Sequence, residues 1–117
     1  MSSSSNKIVL KSSDGEIFEM EESEARLSEL IKDTIELECV QTFIPISTVT
    51  GEILSMVVEY CQQHANTTND DDALKLFDSQ FVDNKNIVTL TELGKAARFL
   101  RIWSLEKLSC DTLFKMF

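Results

Sequence analysis

Three features of the sequence predict an α/β fold in which a small sheet precedes a set of helices. Two short β-rich runs, KIVLK and EIFEM, flank the turn SSDG near the start of the chain. A third run, TFIPISTV, is β-branched and carries the only proline. The remaining apolar residues recur at helical spacing, i, i+3 and i+4. With 117 residues the chain can build one core, removing roughly 65% of its unfolded surface from water without disulfides or metal.

Each element follows from local chemistry. Residues Met1 to Asn6, MSSSSN, have neither a charged n-region nor an apolar h-region and are expected to be a disordered tail. In the hairpin, Ser, Asp and Gly supply local hydrogen bonding and a position for positive φ. EESEARLSELIKDTIE places Leu27, Leu30, Ile31 and Ile35 on one helical face, with Ser28 positioned to cap its second half. Pro45 lacks a donor, so its strand should be short and lie at an edge. Thr50 is the expected N-cap of GEILSMVVEYCQQH, the central helix, whose buried side is Ile53, Leu54, Val57, Val58 and Cys61.

Residues 65–73, with three consecutive aspartates, read as a solvated acidic linker between an α/β part, 7–64, and a helical part, 74–117. FDSQFV is expected as a short helix. In TLTELGKAARFL, Thr89 and Glu92 stand at capping-box spacing, and Leu90, Leu93, Ala97 and Leu100 share a face. Ser104 is the expected cap of the last helix, whose stripe is Leu105, Leu108, Thr112 and Met116, with Leu113 beside it.

Twenty acidic against eleven basic residues give a net charge of -9, which repels phosphate backbones and anionic lipid, so neither nucleic acid nor membrane is an expected partner. Three unpaired cysteines, Cys39, Cys61 and Cys110, suit a reducing compartment, and nucleus and cytoplasm are the expected locations. His64, at a helix end, complements the dipole. Cys61 and His64 are at C-x-x-H spacing, but a structural zinc needs four ligands. Asp70, Asp71 and Asp72 are consecutive rather than alternating, unlike a calcium loop. Gly15, Gly51 and Gly94 are isolated and form no phosphate loop. The expectation is therefore no enzyme, cofactor, metal or small-molecule substrate. Apolar faces are the distinctive content, as in a protein-interaction module.

In order along the chain, KIVLKSSDGEIFEM, IPISTVTGEILSMVVEYCQQH, FDSQFV and TLTELGKAARFLRIWSLEKL resemble the Skp adaptor family, the S-phase-kinase-associated proteins of SCF-type cullin ubiquitin ligases, with wording closest to plant members. The resemblance implies a BTB/POZ-type fold with a small mixed sheet, followed by short Skp-type dimerisation helices. It implies a non-enzymatic adaptor in ubiquitin-dependent protein degradation, with a cullin and F-box proteins as partners. By position in the family's motifs, Ile44, Pro45, Ile46, Arg98 and Phe99 would face the cullin, Phe99 as aromatic anchor. Leu90, Thr91, Gly94, Cys110, Leu113 and Phe117 would face the F-box. Thr91 and Gly94 replace apolar Phe and Ile of the family, which implies weakened F-box binding. Family members continue into two more helices that wrap the F-box, so the resemblance is to a C-terminally truncated member. An elongin-C-like adaptor and a self-associating BTB oligomerisation domain are the alternatives on the same fold.

Overall fold

The computed structural model describes residues 7–38, 43–67, 70–83 and 85–116. Strands β1 (Lys7–Lys11) and β2 (Ile17–Glu21) form an antiparallel hairpin, and β3 (Phe43–Pro45) runs parallel to β1, giving a mixed sheet of order β2-β1-β3. Ile8 lies opposite Met20, and Leu10 opposite both Phe18 and Ile44. Alternation along β1 puts Ile8 and Leu10 in the core and leaves Lys7 and Lys11 outside. Pro45 ends β3 at the sheet edge, where its missing N–H breaks no ladder. Gly15 takes φ +89° in the hairpin turn, and the Ser13 N–H donates to the Val49 carbonyl at 2.8 Å, tying the turn to the loop after β3.

The helical segment after the hairpin is interrupted. It forms α1 (Glu22–Ala25) and α2 (Glu29–Glu38), and between them the buried Ser28 hydroxyl accepts the Ile31 N–H at 3.1 Å. Helix α3 (Gly51–Asn66) is capped by Thr50 as expected, and Leu54, Val57, Val58 and Cys61 are buried. It packs against α1, β2 and α5 (Ile87–Leu100).

Four boundaries differ from the sequence reading. The linker expected at 65–73 is shorter, because α3 continues through Asn66 and α4 (Asp71–Asp83) begins at the aspartates. Asp70 Oδ1 accepts the Ala73 N–H at 3.0 Å, while Asp71 and Asp72 fill the first turn, where carboxylates favour the positive helix end. FDSQFV is thus the second half of a longer helix. Helix α5 starts ahead of the Thr89 to Glu92 box because Asn86 caps it, its Oδ1 accepting the Thr89 N–H at 2.8 Å. In α6 (Trp103–Met116), Ser104 is inside the first turn, accepting the Tyr60 hydroxyl at 2.9 Å, and the Ile102 carbonyl receives the Leu105 and Glu106 N–H groups. Met116 is exposed rather than on the buried stripe.

His64 does more than face a helix dipole. Its Nε2 lies 2.7 Å from Asp78 Oδ1, and its ring stacks on Tyr60 at 4.1 Å between centroids. With Phe77 and Phe81 these side chains fasten α4 to α3. The N-terminal tail, Cys39 and Phe117 lie outside the described residues.

Candidate docking groove

Helix α5 buries one stripe, Leu90, Leu93, Ala97 and Leu100, and Phe99 is off it, so the fold turns Phe99 outward. The turn after it keeps it there. Arg101 adopts a left-handed conformation, φ 58° and ψ 47°, and the Ile102 N–H bonds the Ala97 carbonyl at 2.9 Å, the reversal that ends a helix. Chain direction then changes sharply into α6, leaving Phe99 45% and Trp103 48% exposed at the corner.

Beside Phe99 lies a groove of about 310 Å³ between the loop leading into α3 and the outer face of α5. Val49, Ile53 and Ala96 line it with Phe99, and Thr48, Thr50, Glu92 and Lys95 supply its polar rim. Asp14 on the hairpin turn fixes the loop side: its Oδ1 accepts the Gly51 N–H at 2.9 Å and the Ser12 hydroxyl. The Ser12 bond holds the Asp14 carboxyl below its ordinary value.

Of the residues expected at the cullin face, Arg98, Phe99 and Pro45 are exposed. Ile44, in β3, and Ile46, just after it, are not; they are 8% and 1% exposed and belong to the core. The Ile46 carbonyl accepts the Val49 N–H at 3.3 Å, linking the core to the groove wall. Thr48, Val49, Ile53 and Lys95 complete the groove and were not singled out as site residues; the signal was the uncharged run 43–51 meeting the cap at Thr50.

The F-box set divides similarly. Leu90 is fully buried in the core stripe, which removes it from any surface. Thr91 is partly exposed, its hydroxyl donating back to the Ile87 carbonyl at 2.8 Å. Gly94 faces α6, where a Cβ would stand 3.5 Å from Ser109 Cβ. Cys110 is exposed, Leu113 is half-buried, and Phe114 beside them is 84% exposed. A second groove, about 460 Å³, runs between α4 and α6 over Val82, Leu108 and Met116.

Among the described residues no group of three or more His, Cys, Asp or Glu is placed to hold a metal ion, and no helix is long and apolar enough to cross a membrane. Burial pushes the Cys61 thiol up to about 12, so it behaves as a small hydrophobe rather than a nucleophile.

This topology, with an aromatic lip over an apolar groove, is that of a BTB/POZ-type interaction module. A sequence profile of the Skp1 family tetramerisation domain matches residues 6–66. Among Arabidopsis thaliana proteins, SKP1-like protein 14 is 46% identical over 109 residues, covering 93% of this chain and 72% of the relative. SKP1-like protein 7 is 46% identical over 117 residues, covering 97% of this chain and 92% of the relative. SKP1-like protein 1A is 42% identical over 125 residues, covering 97% and 77%. The chain belongs to the Skp1 family, the adaptors of SCF-type ubiquitin ligases, and its relatives are plant members.

Proposed function

We propose that this chain is a non-enzymatic SCF adaptor that docks a cullin at the groove beside Phe99 and holds F-box proteins only weakly. The observation that carries the cullin part is an aromatic side chain, 45% exposed, at the lip of a groove lined by Val49, Ile53 and Ala96. Large aromatics in such positions carry much of an interface's energy. Phe99→Ala should therefore weaken binding of a cullin N-terminal fragment by about 1 to 2 kcal/mol in calorimetry. An unchanged affinity would remove the groove from the interface.

Weak F-box binding is supported by Thr91 and Gly94, which offer little apolar area where the family presents Phe and Ile. Each lost large side chain is worth about 1.5 to 3 kcal/mol when fully buried. Cys110, Leu113 and Phe114 remain as apolar surface on α6. A pull-down retaining an F-box protein as tightly as a family member with Phe and Ile at these positions would refute the weak-binding half alone.

A further inference from the structure

The groove's loop wall is uncharged, and its α5 wall carries one carboxylate, Glu92, followed only by cations up to the start of α6. Residues 43–51 carry no charge, and from Leu93 to Leu105 there are three cations, Lys95, Arg98 and Arg101, and no carboxylate. That is unusual in a chain with twenty acidic and eleven basic residues. Arg101 is engaged with Asp33 at 3.5 Å, and Lys95, on the groove rim, approaches Glu92 at 3.6 Å. Among the described residues Arg98 makes no ion pair, and it projects into solvent beside Phe99, one helical step from Lys95. The helix dipole accounts for a cation in the last turn. It accounts neither for Lys95 one turn earlier nor for the absence of a carboxylate between Glu92 and Glu106.

From this we infer that the groove selects a protein segment which seats an apolar side chain against Phe99 and presents carboxylates to Lys95 and Arg98. The inference rests on the groove being the cullin-docking surface and adds the chemistry by which it discriminates among partners. Charges at an interface rim act mainly on association rate and on the choice of partner, and salt screens them.

The test is surface plasmon resonance of the full chain against a recombinant cullin N-terminal fragment, at about 50 mM and about 500 mM salt. Arg98→Glu should raise Kd about tenfold at the lower salt, mostly through slower association, and the difference should shrink at the higher salt. Lys95→Glu should act in the same direction. Lys75→Glu, an exposed cation on α4 away from this groove, should change Kd less than about twofold. Thermal melts monitored by circular dichroism establish that the variants are folded. If Phe99→Ala weakens binding while both charge reversals leave Kd and its salt dependence unchanged, the inference falls and the docking reading stands. If the fragment fails to bind, or binds Phe99→Ala as well as the parent, the docking reading falls and takes the inference with it.

Discussion

Ser28 and Leu100, 72 positions apart in sequence, are joined by a buried hydrogen bond: the Ser28 hydroxyl donates to the Leu100 carbonyl. The same hydroxyl accepts the Ile31 N–H at 3.1 Å, and the neighbouring Glu29 N–H donates to the Arg101 carbonyl at 3.2 Å. One small side chain therefore caps α2 and holds the end of α5, the turn that presents Phe99. The geometry of the Phe99 lip depends on a residue far from it in sequence.

Replacing Ser28 with Ala deletes a cap and leaves a buried carbonyl short of a donor. Each loss costs about 1 to 2 kcal/mol, so urea denaturation should show a destabilisation of roughly 2 kcal/mol. A loss under about 0.5 kcal/mol would mean that the hydroxyl does not hold this corner.

Arg101 is the one non-glycine residue at positive φ among those described. A side chain there costs about 1 to 2 kcal/mol, against an exposed ion pair with Asp33 worth at most about 1. Arg101→Gly should therefore stabilise the fold by about 1 kcal/mol, while Arg101→Ala, still strained and without the pair, should not. Equal effects of Gly and Ala would contradict the strain argument.

The fold was legible where a signal was local and strong. The SSDG turn, the caps at Ser28 and Thr50 and the stripe Leu90, Leu93, Ala97, Leu100 all appear where their chemistry placed them. Boundaries failed where two capping residues competed. Asn86 displaced the Thr89 box, and an aspartate run that reads as loop composition serves equally well as a helix start. The site was half legible. Motif position singled out Phe99, which the fold leaves exposed, and equally Ile44, Ile46 and Leu90, which it buries, because a motif records sequence neighbours and not which of them the sheet or helix turns inward. The His64 pairing was beyond reach, since Asp78 sits in the expected FDSQFV helix but only the packing of α4 on α3 brings it to the imidazole.

Gly94 sits inside α5, and a Cβ there would meet Ser109 Cβ at 3.5 Å, an ordinary contact. Gly in a helix costs about 1 kcal/mol relative to Ala, so Gly94→Ala should raise stability by about 0.5 to 1 kcal/mol. Across the interface the Ser109 hydroxyl is fully buried without a hydrogen-bond partner among the described residues. Ser109→Ala should be neutral or stabilising, by up to about 1 kcal/mol. Loss of stability in Gly94→Ala would show that α5 and α6 need the closer approach only glycine permits.

Asp14 gives the fold an acid-sensitive point. Its carboxylate accepts the Ser12 hydroxyl and the Gly51 N–H, and the Ser12 bond, with the smaller help of Gly51, lowers its pKa from the ordinary 3.8. A lowered value in the folded state means the charged form binds there more favourably than in the unfolded chain. Its contribution is then fully present above the ordinary 3.8 and is lost as pH falls through the lowered folded value. Asp14→Asn keeps an acceptor but removes the titration. The stability gap between the parent and this variant, from denaturant midpoints, should stay constant between about pH 7 and pH 5 and close below about pH 4. Because Gly51 opens α3 beside Thr50 on the groove wall, cullin affinity should decline over the same acid range in the parent more than in the variant. A gap that widens on acidification would reverse the sign and exclude Asp14 as its source.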